Sequence, residues 1–307
     1  MLPEVQRWLR RRTSGVADWP TGSLVEAKGN VSVSVVLPAR DERETIGEIV
    51  TVIRRELADL VDEIVVIDSR STDDTAAVAA RAGADVHAQD DILPELPPLD
   101  GKGEALWKSL AVTSGDIVVF ADADIRKFRA SLVSGVLGPL LTDSSVVYVK
   151  GCYDRPLDGV PTGGGRVTEL VARPLLNMHW PELAGFVQPL AGEYAGRRSA
   201  LERVPFLTKY GVEIGLLIDL LDLAGLDAFA QVDLGSREHV SQSTEALGGM
   251  AAQIMLAAWS RLCRQGKIES CHAPSACLDQ FRRAGLGHDI LSSDISIAER
   301  PPMLTVA

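Results

Sequence analysis

Two carboxylates two positions apart, Asp122 and Asp124, follow the apolar run Ile117-Val118-Val119-Phe120. A short stretch rich in β-branched residues and stopped by polar ones reads as a buried strand of a parallel sheet. Ligands of open α/β sheets bind just beyond the carboxyl ends of the strands, so this acid pair is expected at a site. Two carboxylates this close repel, and they are tolerated together where a cation or a ligand's donors neutralise them. A divalent ion carrying a diphosphate meets that need. The plainer alternative is a solvated strand end, since acidic residues are common in turns.

Other residue types could serve the same chemistry. Lys102 stands between Gly101 and Gly103, where a backbone without side chains lets an anion come close; an exposed loop lysine is the alternative. Arg166 follows Gly163-Gly164-Gly165 and is expected to open a helix, whose N-terminus attracts anions. Glu213 begins the amphipathic stretch Val212–Ala224, where a first-turn glutamate also simply suits the helix dipole. Cys263, Cys271, His272 and Cys277 lack a paired C-x-x-C, so scattered thiols are expected there in place of a zinc site.

The elements that must position these residues can be read in order. A short helix is expected near Pro3–Arg12, then a loop with Pro20, Gly22 and Gly29, serving packing or a dimer contact. Val31–Leu37 is a first strand, ending at Pro38-Ala39-Arg40-Asp41-Glu42. Apolar residues at helical spacing then predict a helix from about Glu44 to Leu60. Glu63–Asp68 is a second buried strand, and Ser69–Thr75 a turn in which Ser71 or Thr72 can cap a helix running to Ala82. The acid-bearing strand is the third. Strands ending in acidic or hydroxyl residues, with helices between the first ones, predict a doubly wound parallel sheet with a nucleotide across its carboxyl edge. The dinucleotide fingerprint G-x-G-x-x-G is missing after the first strand, as is a Walker loop, which makes NAD enzymes and P-loop enzymes poor candidates. Thr244–Arg264 reads as a helix suited to a dimer surface. Beyond about Arg283 the chain turns polar, and weak order is expected there.

Bulk properties narrow the partners. The chain has 307 residues, enough for one large α/β domain with or without a lobe. The formal net charge of −11 argues against general nucleic-acid binding, so an anionic substrate needs a local basic pocket or a metal. No apolar run approaches the ~20 residues of a membrane span, and no apolar segment follows the basic cluster of Met1–Arg12. Four cysteines in a chain this long argue against a disulfide scaffold. A cytoplasmic protein with reduced thiols is expected.

Leu37–Glu42, Ile67-Asp68-Ser69 with Ser71–Thr75, Gly101-Lys102-Gly103-Glu104, and Gly115-Asp116 through Asp122-Ala123-Asp124 together resemble the nucleotide-sugar glycosyltransferases of the GT-A fold. Val149-Lys150-Gly151, Gly163–Leu175, Gln188–Gly196, Tyr210–Gly215 and Gln231–Gly235 follow in order. This series is similar to the retaining glucosyl-3-phosphoglycerate synthases, over about Val31 to His239. The resemblance implies a GT-A-type α/β sheet, mostly parallel, with helices on both faces and a C-terminal acceptor-binding lobe. It divides the chain into an extension (1–30), a nucleotide-sugar half (31–150), an acceptor half (151–243) and a C-terminal helix and tail (244–307) with a possible dimer contact.

What the resemblance implies for the site is specific. Asp124 and His239 would ligate Mg²⁺ or Mn²⁺. Pro38, Ala39, Glu42, Ser69, Asp122, Ala123 and Tyr210 would line the nucleotide-sugar pocket, and Lys102 would meet the diphosphate. Glu213 would hold hydroxyls of the transferred sugar. Gly165, Arg166, Thr168, Arg237 and Ser241 would face the acceptor, arginine offering a planar fork matched to phosphate. The family has asparagine where this chain has Asp41 and Ser241, and a small apolar residue where it has Arg40. The implied reaction moves glucose from UDP-glucose to the 2-hydroxyl of 3-phosphoglycerate with retention, in a homodimer. The competing expectations are the same fold with GDP-mannose or another small acidic acceptor, and a catalytically silent nucleotide-sugar-binding protein. A sugar nucleotidyltransferase is disfavoured, because Leu37–Glu42 lacks the glycine-rich turn it needs.

Overall fold

The apolar runs read from the sequence form the middle of an eight-stranded sheet in the computed structural model, which describes residues 1–156, 164–237, 242–269, 272–285 and 287–306. The chain opens with helix α1 (Pro3–Arg12), strand β1 (Thr13–Gly15) and helix α2 (Thr21–Lys28). A strand–helix alternation follows: β2 (Val33–Ala39), α3 (Ile46–Glu56), β3 (Glu63–Asp68), α4 (Thr75–Ala82), β4 (Asp85–Ala88), α5 (Lys102–Val112), β5 (Ile117–Phe120), α6 (Ser131–Thr142) and β6 (Tyr148–Asp154). A π-helical turn, Thr168–Ala172, leads into α7 (Arg173–His179). Then come β7 (Tyr194–Arg197), α8 (Arg198–Leu201), β8 (Phe206–Leu207), α9 (Val212–Ala224), β9 (Phe229–Ser236) and α10 (Thr244–Arg264). The chain closes with β10 (Cys277–Ala284), β11 (Gly287–Asp294) and β12 (Glu299–Arg300).

The sheet order is β1-β9-β6-β7-β5-β2-β3-β4. All neighbours are parallel except β7, which runs antiparallel between β5 and β6. The chain leaves β2 toward β3 and β4, then returns to place β5 on the other side of β2. The strand order therefore reverses between β2 and β5, which is where an open α/β sheet forms its ligand crevice. The acid pair stands at the carboxyl end of β5, at this switch point.

Alternation along the strands fills two apolar layers. Val36, Val118 and Phe120 face one layer with Trp107, Leu216 and Ile254, between the sheet and α5, α9 and α10. Val33, Val35, Leu37, Ile117 and Val119 face the other with Ile49, Ile53, Leu132 and Val136, under α3 and α6. Burial on both faces explains why these strands read as continuous apolar runs. The N-terminal segment joins the sheet: Trp8 is buried and donates from Nε1 to Phe229 O at 2.9 Å, and β1 pairs with the edge of β9.

Four sequence expectations are corrected. The stretch expected as a loop with Pro20, Gly22 and Gly29 carries β1 and α2, with Gly22 inside the helix and Gly29 just past its end. The helix expected from Glu44 begins at Ile46, after a turn held by Thr45 and Ile46 N–H groups donating to Glu42 O. Neither Ser71 nor Thr72 caps α4; Asp73 Oδ1 accepts from Thr75 N at 2.9 Å, while Ser71 and Thr72 bond Asp41. The segment beyond Arg283 is ordered: β10 and β11 form an eight-pair hairpin, β12 pairs with β8, and Arg300 and Met303 are buried. Its polar composition hid a buried ion pair, described below, that a hydrophobicity pattern does not register.

Candidate active site

Beyond the strand ends lies an open cavity of about 550 Å³, within the range of small-molecule sites. Pro38, Ala39 and Glu42 reach it from the end of β2, Ser69 from β3, and Asp122, Ala123 and Asp124 from β5. Lys102 enters from the start of α5, Tyr210 and Glu213 from the start of α9, and Arg237 from the end of β9. Gly165, Arg166 and Thr168 also line it. Residues scattered over most of the chain thus share one crevice. His239 and Ser241 lie outside the described residues, as does Cys271 of the sulfur cluster.

The centre of the site is a buried alternation of charge. Lys102 Nζ lies 2.6 Å from Asp122 Oδ1 and 2.9 Å from Glu213 Oε1. Arg237 Nη1 lies 3.3 Å from Asp122 Oδ2 and 2.5 Å from Glu193 Oε1, and its Nη2 is 2.7 Å from Asp124 Oδ1. Tyr153 OH accepts from Arg237 Nη1 at 3.1 Å. Burial works to raise the Asp122 pKa, but Lys102 and Arg237 outweigh it and hold the carboxyl well below its usual range. Burial also opposes the charge of Lys102, and Asp122 with Glu213 more than restores it. Asp124 and Glu193 move the other way: burial raises both, Asp122 adds repulsion, and Arg237 only partly offsets this. At the rim, burial and the nearby Asp124 push Glu42 up to about 7.

Two glycines make the arrangement possible. A Cβ on Gly192 would sit 2.1 Å from Asp122 Oδ2, and one on Gly103 would sit 1.9 Å from Leu207 O. Only glycine permits approaches this close. Ser69 is fixed by donating from Oγ to Gln89 Oε1 at 2.9 Å. Arg166 donates from Nη2 to Gln242 O at 2.7 Å, which seats it beside the N-cap of α10.

The oxygen-rich corner formed by Asp124 suits a hard divalent cation. Its side chain is 60% exposed, open to the cavity on one side and neutralised by a guanidinium on the other. Among the described residues no group of three His, Cys, Asp or Glu side chains could hold a metal, so ligand oxygens or residues beyond these must complete any coordination shell.

Sequence reasoning did not single out Glu193, Gly192, Tyr153 or Lys150. Glu193 had a legible signal: a carboxylate between small and apolar residues at the start of a strand implies a buried partner. Lys150 is buried on β6 with its Nζ 4.1 Å from the Tyr194 ring centroid. Its Nζ, the hydroxyls of Tyr148 and Tyr194, and Glu193 Oε2 have no hydrogen-bond partner among the described residues.

Residues 34–162 match the profile of glycosyl transferase family 2. The glucosyl-3-phosphoglycerate synthase of Mycolicibacterium smegmatis is 47% identical over 304 residues, 98% of each chain. The crystal structure of mannosyl-3-phosphoglycerate synthase from Rubrobacter xylanophilus superposes with a TM-score of 0.92 at 40% identity, covering 99% of this chain and 98% of that one. The Mycobacterium tuberculosis glucosyl-3-phosphoglycerate synthase, crystallised with Mn²⁺, UDP-glucose and phosphoglyceric acid, superposes at 0.83 with 43% identity, covering 96% and 99%. With near-complete coverage at this identity, the chain belongs to the glucosyl-3-phosphoglycerate synthase family of metal-dependent glycosyltransferases.

Proposed function

We propose that this protein transfers glucose from UDP-glucose to the 2-hydroxyl of 3-phosphoglycerate with retention of configuration. The observation that carries the reading is one crevice at the β2–β5 switch point, with Lys102, Asp122 and Glu213 in one ion-pair network and Arg166 lining the same cavity. In this reading residues 31–150 supply most of the donor site, and residues 151–243 supply the acceptor site together with Tyr210, Glu213 and His239 of the donor site.

Pro38, Ala39 and Ser69 border the nucleotide, and Glu42 and Ala123 narrow its pocket. Asp124, with His239, would hold Mg²⁺ or Mn²⁺, which when bound stabilises the negative charge of the UDP leaving group. Lys102 offers its ammonium to the same diphosphate, drawn partly from Asp122. Glu213 accepts from sugar hydroxyls at the floor, beside Tyr210. Gly165 leaves the backbone open to the acceptor, and Arg166, Thr168 and Ser241 orient its phosphate and carboxylate; Arg237 joins them only by giving up an ion pair to Asp124 or Asp122. Charge-assisted bonds of this kind contribute roughly 1.5–3 kcal/mol each, and orientation of the hydroxyl lowers the barrier further. The acceptor hydroxyl attacks the face that UDP leaves, and a departing phosphate oxygen takes its proton.

A second reading, transfer of mannose from GDP-mannose to the same acceptor, is favoured by the 0.92 superposition on the Rubrobacter mannosyl-3-phosphoglycerate synthase. Product detection over UDP-glucose, GDP-mannose and a panel of small acidic acceptors, with and without chelator, separates the two. Glucosyl-3-phosphoglycerate formed only with free Mg²⁺ or Mn²⁺ is the expected result. Nucleotide bound without turnover of any donor would make the protein a silent binder.

A homodimer in the cytoplasm completes the reading. The β10–β11 hairpin exposes Phe281 and Ile290, directly opposite each other in register, and α10 exposes Met255 and Trp259. Exposed apolar side chains of this kind suit a second copy. No helix among the described residues is long and apolar enough to cross a membrane, and Cys152, Cys263 and Cys277 are free thiols.

A further inference from the structure

Strand β12 touches two segments that lead into the site, β8 and the start of α5, at once. Glu299 pairs with Leu207 and Arg300 with Phe206 in the β12–β8 ladder. The pairing continues as Thr208 N donates to Ala298 O at 2.9 Å and Ala298 N donates to Thr208 Oγ1 at 2.9 Å. From β12, Arg300 reaches the first turn of α5. Its Nε and Nη2 lie 2.7 Å from the two carboxylate oxygens of Glu104, and Nη2 also donates to Pro97 O at 2.6 Å. Both residues are buried. The guanidinium stacks 5.1 Å from the Trp107 ring centroid, and Trp107 Nε1 donates to Pro301 O at 2.7 Å. Lys108 Nζ stands 3.7 Å from Glu104 Oε1.

These contacts bear on the site because of what each element carries. Glu104 lies two residues after Lys102 in the first turn of α5, the turn whose Gly103 packs against Leu207 O. β8 runs through Thr208 and the turn Lys209–Gly211 into the start of α9, which bears Glu213. The contact between Lys102 and Glu213 thus bridges the two elements that β12 clasps. A buried ion pair adds little net stability over an apolar pair, whereas its bidentate geometry fixes relative position.

We propose that Arg300 is a positioning residue: its fork on Glu104 holds the start of α5 against the β8–α9 segment and so fixes Lys102 where it meets the donor diphosphate. The proposal rests on the functional reading above. It is tested by UDP affinity in the presence of Mg²⁺, measured calorimetrically for Arg300→Met, Lys102→Ala and the double variant. Arg300→Met is expected to weaken UDP roughly tenfold, the scale of a small misplacement, and to raise KM for UDP-glucose while leaving KM for 3-phosphoglycerate unchanged. In the Lys102→Ala background the same change should cost less than about twofold, since coupled sites are not additive. If Arg300→Met melts before measurement, Arg300→Lys, which keeps the charge and loses the fork, is expected to show a smaller loss with the same non-additivity. Equal losses in both backgrounds, or both KM values rising together, overturn the positioning role alone. Undiminished UDP affinity in Lys102→Ala overturns the reading of Lys102, and the positioning role with it.

Discussion

Arg237 Nη2 lies 2.7 Å from Asp124 Oδ1, so the carboxylate that faces the cavity is neutralised from behind by a buried guanidinium. This leaves Asp124 one open side for a cation, whose charge would offset the part of the Asp122 repulsion that Arg237 does not. Replacing Asp124 by alanine is expected to lower transfer by at least about 10²-fold and to remove the dependence of UDP affinity on Mg²⁺. The melting temperature should change little, because the side chain is mostly exposed. Metal-stimulated turnover by this variant would remove Asp124 from the centre.

Gly192 backs the other carboxylate of the pair. A methyl group there would lie 2.1 Å from Asp122 Oδ2, so Gly192→Ala must displace Asp122 from Lys102 or Arg237. Turnover is expected to fall about 10²-fold, with a stability loss of about 1–3 kcal/mol from overpacking. Steady-state kinetics beside denaturant titration checks this. Normal turnover would mean that the Asp122 position is not critical.

Lys150 offers a pH test outside the ion-pair network. Burial lowers its pKa to about 7, against the pull of Glu213. Unfolded, it titrates near ~10.4. Between these values the unfolded chain holds more protons, so this residue's contribution to stability rises with pH from about 7 upward. Below pH 7 the folded chain bears the full cost of the buried charge. Lys150→Met should therefore stabilise the fold most near pH 6, by a free energy on the order of a few kcal/mol, and least near pH 10, as read from thermal melts across that range. A shift that does not vary with pH would show that Lys150 titrates normally.

Phe281 and Ile290 face the same side of an exposed hairpin. If this surface seats a second copy, Phe281→Asp with Ile290→Asp is expected to convert a dimer to a monomer in light scattering. The sheet core should melt as before, since the hairpin lies outside both apolar layers. A dimer that survives the double change uses another face.

Local pattern carried much of this chain. The apolar run ahead of Asp122 becomes β5, and the helical spacings over Val212–Ala224 and Thr244–Arg264 become α9 and α10 with those same ends. Such segments are legible because each repeats one period over several turns or one full strand. The motif residues from Pro38 to Arg237 could likewise be named in order, and they share one crevice.

What pattern could not supply is every relation that joins distant segments. The insertion of β7 antiparallel between β5 and β6 has no local mark, yet it brings Gly192 and Glu193 against Asp122 and Arg237. The tail after Arg283 reads as weakly ordered because much of its anchoring is strand pairing and charged pairs, Arg300 with Glu104 and Glu299 with Arg261 among them, not a stripe of apolar residues. Composition announces which side chains prefer to leave water. Which charges meet one another in the interior depends on where the strands cross, because Coulombic pairing is set by distance in space and is indifferent to separation along the chain.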